Sequence, residues 1–337
     1  MSTSAKRGKS LPSGLVIRTG KFVWTTMWRV MMANLAPRDR SGAYVRPTSQ
    51  FRQSIGSTSE NPYPPAPQRY HLIVGLGCPW AHRTLVTRAL KGLEAIIPIT
   101  IVSPSGDEGI WVFDTPTYDC QTLPELYQKA QAGYSGRCTV PVLWDSQTQT
   151  IVNNESAEII MQLNTQFNAW GTESRDLYPD ALQAEIETWN DKIYAAVNNG
   201  VYRCGFAQTQ AAYNQAVQEL FTTLDEIDQT LANHRYLCGD AVTLADVRLF
   251  TTLFRFDAVY FSLFKCNLRR IQDYEYLSAY LRDLYQLPGV AATCKLEAVK
   301  RDYYGNLFPL NPGGIIPVGS GSLDLEAPHH REAVENR

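Results

Sequence analysis

The sequence predicts an α/β layered domain followed by a predominantly helical one. Three observations carry that prediction. The chain has 337 residues, a length that fits two domains. Between residues 70 and 163, short apolar runs and helix-period segments succeed one another as strand, helix, strand, hairpin and helix. From about residue 179 onward, apolar positions recur at helical spacing in one segment after another. Hydrophobic residues make up 44% and charged residues 19%, enough for a sizeable core and too little charge for a disordered chain. Lys+Arg (31) and Asp+Glu (33) leave a net charge of -2. That whole-chain balance gives no electrostatic reason to expect nucleic acid or an anionic membrane.

The elements follow in chain order. Residues 14–35 are apolar and basic, but Arg18, Lys21 and Arg29 interrupt them. They therefore fall short of the ~18 uncharged apolar residues of a membrane span, and no cleavable leader is visible. This segment is expected to pack on its own domain, with a basic amphipathic helix on a membrane surface as the other reading. Without an export signal the cytoplasm is the default, where thiols stay reduced. Residues 37–68 are rich in Pro, Ser, Arg and Gln and end in an Asn61–Pro67 run, an extended arm. Residues 1–68 thus form an N-terminal extension.

Tyr70–Gly75 reads as a buried strand, and Pro79–Lys91 as a helix with Trp80, Leu85 and Leu90 on its apolar face. Ile96–Val102 is a second strand. Residues 103–138 hold many Gly, Pro, Asp and Ser and read as a long loop with one short helix near 123–130. Val140–Asp145 and Thr150–Asn153 form a hairpin, and a helix opens at Glu155. The first domain is set at 69–170. The polar stretch 171–179 separates it from a helical domain at 179–304, with helices over 182–197, 211–231, 244–261 and 277–284. Thr243 and Asp246 match a capping box before an apolar run, a structural pair. Residues 305–337 read as a wrapped tail that frays.

The residue that carries chemistry is Cys78. It stands where a strand ends and a helix begins, and Pro79 suits a first helical turn because its missing N–H costs nothing there. Free backbone N–H groups and the helix dipole favour negative charge at that end, which is expected to lower the thiol pKa and yield a nucleophilic thiolate. His82 and Arg83, about one turn on, offer positive potential. A buried apolar thiol is the commoner fate of a cysteine, but here strand, Cys, Pro and helix coincide. Residue 81 is alanine, so there is no C-x-x-C pair, and a redox cycle needs an external thiol. The other cysteines and the five histidines show no metal-ligand spacing, so no metal site is expected.

At Arg69–Arg83 (RYHLIVGLGCPWAHR), Thr139–Asp145 (TVPVLWD) and Val152–Ser156 (VNNES) the chain resembles the xi-class glutathione transferases, the S-glutathionyl-hydroquinone reductases. Asn199–Tyr202, Gly205–Ala207, Arg255–Tyr260, Phe264–Asn267, Lys300–Tyr304 and Asn311–Pro312 extend the likeness over about residues 47–318. The resemblance implies a thioredoxin-like N-terminal domain, an all-α C-terminal domain, a homodimer and glutathione as co-substrate. It implies that the Cys78 thiolate takes glutathione from a glutathionyl-hydroquinone as a mixed disulfide, which a second glutathione releases. It implies a cis bond at Val140–Pro141, with the Val140 backbone pairing with glutathione as an added strand. Ser156 and nearby N–H groups would hold the γ-glutamyl carboxylate and Glu155 its amino group. Trp111 and Arg137, in the inserted loop, would flank glutathione. Tyr202, Tyr260 and Tyr303 would line a hydroquinone pocket, where a phenol donates to the leaving oxygen.

Three positions depart from the family pattern. Gly77 stands for a small residue such as Ala, Asp302 for His, and Gly313–Gly314 for a segment that often carries Arg. They bear on the acceptor pocket more than on the glutathione site. Two other activities remain open from the residues: a broader omega-like thiol transferase or dehydroascorbate reductase using Cys78, and a non-catalytic carrier of hydrophobic ligands.

Overall fold

A computed structural model describes residues 13–106, 108–319, 324–332 and 334. Its strands are β1 (Tyr70–Val74), β2 (Ile99–Pro104), β3 (Trp111–Thr117), β4 (Cys120–Thr122), β5 (Val142–Asp145) and β6 (Thr150–Asn153). They form one sheet in the order β4-β3-β2-β1-β5-β6. β1 and β2 are parallel with Leu72 opposite Ile99, so the connection between them must cross over, and helix α2 (Pro79–Leu90) supplies that crossover. β5 pairs antiparallel to β1, and β6 antiparallel to β5. With helices α3 (Leu123–Ala130) and α4 (Ser156–Thr165), this is the thioredoxin-like arrangement. The Val140–Pro141 bond is cis.

One expectation for this half is corrected. Within 103–138 the chain forms the antiparallel pair β3–β4 at the sheet edge rather than a long loop. β3 lies one strand in from the edge, between β4 and β2; it contains Pro116 in the irregular stretch of its pairing with β4 and leaves three consecutive residues exposed, so it lacks the alternation that marks a half-buried strand. Its turn is Tyr118-Asp119, both at positive φ (56° and 57°). A tight hairpin needs that conformation, usually from Asn or Gly. Contacts elsewhere hold it: Lys129 donates to the Tyr118 carbonyl at 2.7 Å, and the Tyr118 hydroxyl bonds the His71 ring.

The second half is helical: α5 (Gln183–Ile193), α6 (Gly200–Gly205), α7 (Gln210–Leu231), α8 (Leu244–Arg255), α9 (Glu275–Gln286), α10 (Val290–Thr293) and α11 (Leu296–Asn306). The spacing over 182–197 and 244–261 hid two π-helical turns, Tyr194–Asn198 and Phe256–Tyr260. α8 opens on the expected capping box, with Thr243 donating to Asp246 from both its N–H (2.8 Å) and its hydroxyl (2.9 Å). The tail does wrap, but it does not simply fray. Arg331 is buried and donates to the carbonyls of Leu231 (3.0 Å) and His234 (2.6 Å).

Helix α1 (Ser13–Leu35) bears out the helix and corrects the packing. Its last turns dock through Trp28, Met32 and Leu35, while its first four turns stay exposed. No helix among the described residues is long and apolar enough to cross a membrane. The arm that follows runs between the two cores. Met32, Ala36 and Tyr44 join the helical core, whereas Phe51, Ile55 and Tyr63 join the core of the sheet.

Candidate active site

The site begins where β1 ends. Gly75–Gly77 turn the chain, and Cys78 caps α2 with extended backbone (φ -74°, ψ 121°) and Pro79 in the first turn. The Cys78 Sγ is half-buried, 3.6 Å from the Val140 carbonyl. Burial pushes its thiol up from the ordinary value. The N–H groups of Ala81 and Trp80 and the charges of Arg255 and Arg46 pull it down. The helix N-terminus thus acts in the expected direction but is outweighed by desolvation, so the expected net lowering is corrected for the free site.

His82 does not supply positive potential. Burial and the adjacent Arg255 hold it neutral. An Arg255 Nη1 lies 2.9 Å from its Nδ1 and the Thr293 hydroxyl 2.9 Å from its Nε2. Because guanidinium only donates, Nδ1 is the acceptor and the ring proton sits on Nε2. Arg83 turns away to Asn198 and, at 3.4 Å, to the Ser156 hydroxyl.

The charges near Cys78 come instead from distant chain segments that sequence reasoning left unassigned. Arg255, at the end of α8 and 1% exposed, donates to the carbonyls of Gly77 (3.0 Å), Leu76 (3.3 Å) and Thr251 (2.9 Å). It buttresses the Cys78 loop from below. A fully buried arginine requires such acceptors, and its place in the quoted Arg255–Tyr260 motif was the available signal. Arg46 comes from the arm and lies 3.9 Å from the centre of the Trp80 ring. Nothing in its local sequence marks it.

Cys78 opens on a cavity of about 360 Å³, the size of a small-molecule site. Trp111, Arg137 and Val140 line one side; Tyr202 and Tyr303 face it from the helical half; Tyr44 and Arg46 close a third side. The Tyr303 hydroxyl stands between those of Tyr202 (2.6 Å) and Tyr260 (3.0 Å). Burial pushes Tyr202 and Tyr303 well above the ordinary phenol value and Tyr260 up to about 12. All three therefore keep their protons and remain donors at neutral pH. Tyr260 is fully buried and does not line the cavity. It stands one layer behind the position the resemblance implied and acts on the cavity through Tyr303.

Glu155 and Ser156 begin α4 beyond the cavity lining. Glu155 accepts from the Ala157 N–H (3.3 Å) and from the Ser49 hydroxyl (3.0 Å). Ser156 is buried, its hydroxyl facing Arg83. Two of the three departures prove to be one feature. The Asp302 carboxylate accepts the Gly77 N–H at 3.0 Å, and a Cβ at residue 77 would collide with that carboxylate. Among the described residues no group of three or more His, Cys, Asp or Glu is placed to hold a metal ion.

Comparison with known proteins accords with this geometry. Residues 77–166 match the glutathione S-transferase N-terminal domain and residues 210–283 the C-terminal domain. The chain is 44% identical over 324 residues to the glutathionyl-hydroquinone reductase YqjG of Escherichia coli K12, covering 92% of this chain and 97% of that one. It is 43% identical over 304 residues to the glutathionyl-hydroquinone reductase PcpF of Sphingobium chlorophenolicum, covering 88% and 94%. The glutathione-bound structure of YqjG superposes with a TM-score of 0.81 at 46% identity, covering 84% of this chain and 96% of that one. The xi glutathione transferase of Phanerochaete chrysosporium gives 0.81 at 43% identity, covering 86% and 96%. With a thioredoxin-like half, a helical half and these relatives along most of its length, the chain belongs to the xi class of glutathione transferases, the glutathionyl-hydroquinone reductase family.

Proposed function

We propose that the chain is a glutathionyl-hydroquinone reductase in which Cys78 is the nucleophile. The observation that carries the assignment is one cavity with Cys78 on one wall and the hydrogen-bonded Tyr202–Tyr303 pair on another. The Cys78 thiolate attacks the sulfur of the glutathionyl group and forms an S–S bond. With the ring as its keto tautomer, in which the carbon bearing sulfur has already taken the hydroxyl proton, the carbon–sulfur bond breaks, its electron pair passes through the ring to the oxygen, and that oxygen takes a proton. A second glutathione thiolate then attacks the mixed disulfide, oxidised glutathione leaves and the Cys78 thiolate returns. The ring is reduced and two glutathiones are oxidised, so electrons balance.

The other residues serve binding. Val140 offers its backbone to the cysteinyl segment of glutathione as an added strand. Trp111 and Arg137 flank the tripeptide. The N-terminus of α4, with Ser156 and Glu155, takes the γ-glutamyl end. Tyr202 and Tyr303 donate to a hydroquinone oxygen as charge develops there, and Tyr260 holds Tyr303 in place. All seven cysteines are free, which suits a reducing, glutathione-rich cytoplasm. The homodimer belongs to the same proposal.

The test is a pulse of glutathionyl-hydroquinone followed by mass spectrometry of the intact protein. A single glutathione adduct on Cys78, discharged by added glutathione, is expected. Cys78→Ser should lose the adduct and about a thousandfold or more in kcat/KM. Unchanged turnover in that variant would overturn the assignment.

A further inference from the structure

Residues 1–38 carry seven Lys or Arg and no Asp or Glu, while the whole chain sums to -2. The remaining residues therefore sum to -9, and the near-neutral balance conceals a basic segment on an acidic body. Within α1 the spacing places Arg18, Lys21 and Arg29 inside about 80° of the helix circumference. The apolar side chains spread over the other arcs. Leu15, Ile17, Phe22, Trp24 and Val30 are 52%, 57%, 73%, 43% and 61% exposed.

That exposure is concentrated. Of the 17 exposed large apolar side chains among the described residues, eight lie on α1 and four on residues 308–318. The two groups meet, since the rings of Trp24 and Phe308 are 6.3 Å apart. They also reach the catalytic cavity, because Leu35 at the end of α1 and Leu307 beside Phe308 both line it. A patch of this extent on a folded protein marks an interaction surface.

We infer that α1 and residues 308–318 form a docking surface for an anionic lipid bilayer, with the mouth of the catalytic cavity at its border. Charge complementarity selects this occupant. A helix with Trp and Phe among its apolar residues, three basic side chains on one arc and no acidic residue fits the boundary between headgroups and acyl chains. The body, negative elsewhere, is repelled from the same membrane, which leaves the basic end as the contact. A second copy of the chain would instead bring two basic helices together.

The experiment is co-sedimentation of the full chain with vesicles of phosphatidylcholine alone and of phosphatidylcholine with 30–40% phosphatidylglycerol, a range of roughly one anionic lipid in three. Binding is expected only with the anionic lipid and should fall steeply as salt rises from about 50 to about 500 mM, because the Debye length shrinks across that range. The triple variant Arg18→Glu, Lys21→Glu, Arg29→Glu should bind on the order of a hundredfold more weakly, while its turnover without vesicles matches wild type. Phe22→Ser with Val30→Ser should also weaken binding, because the apolar contact is part of the surface. Absence of binding to anionic vesicles, equal binding to neutral ones, or binding unaffected by the charge reversal would overturn the inference. So would self-association that the triple variant abolishes without any vesicle binding.

Discussion

Asp302 and Gly77 act as a unit at the loop that carries Cys78. The carboxylate occupies the volume a side chain at residue 77 would need and accepts the residue 77 N–H. Burial pushes the Asp302 carboxyl up to about 6, with Arg301, Arg255 and the Gly77 N–H opposing it. Its folded-state value lies above the unfolded one, so its favourable contribution is complete below about 4 and is lost as pH rises through about 6. Asp302→Asn keeps an oxygen for the Gly77 N–H and removes the buried charge. It should raise the Tm relative to wild type at pH 8 and leave it little changed at pH 4, as read by thermal unfolding at the two values. Equal shifts at both would show that the carboxyl does not ionise in this range. Cys78 itself was legible because strand end, proline and helix start coincide within a few residues. Arg46 and Arg255 were not, because their proximity to Cys78 arises from the fold, through an arm and a helix far from residue 78 in the chain.

The element least legible in the sequence is the β3–β4 hairpin, which carries one wall of the site. Tyr118-Asp119 in place of Asn-Gly, Pro116 within the strand and the exposed run at residues 114–116 all argue locally for a loop. Pairing with β2, the Lys129 contact and the Tyr118–His71 bond decide otherwise. By contrast α8 announced itself through its Thr243–Asp246 cap, which is local. The hairpin delivers Trp111 against Gly75, where a Cβ would come within 2.5 Å of the ring. Gly75→Ala therefore has to displace the Trp111 ring, overpacking that costs about 1–3 kcal/mol. Since the ring lines the cavity, the KM for glutathione should rise several-fold while alkylation of Cys78 by iodoacetamide keeps its wild-type rate. A parallel loss of alkylation would mean that the Cys78 loop, rather than the hairpin, had moved.

At the scale of the molecule the two halves share parts that a boundary drawn at 171–179 would separate. α2 gives Ala81 and Leu85 to the core of the sheet and Val86 and Leu90 to the helical core. α4 divides likewise, with Ile159 and Leu163 in one and Ile160 in the other. Polar ties cross the same seam beside Cys78: Arg255 to the Gly77 and Leu76 carbonyls and to the His82 ring, Asp302 to the Gly77 N–H, and Thr293 to His82. Cys78 thus stands beside ties that join the halves, and its surroundings exist only when both are folded. The halves should then unfold together. Val86→Ala, a truncation on α2 at a site 3% exposed, should cost about 2 kcal/mol and lower the Tm by roughly 4 °C. It should shift a single calorimetric endotherm as a whole, with far-ultraviolet circular dichroism and the exposure of Cys78 to alkylation moving at the same temperature. Two separated endotherms, only one of them moved by Val86→Ala, would show that the seam does not couple the halves and that the site can lose one wall while the other stays folded.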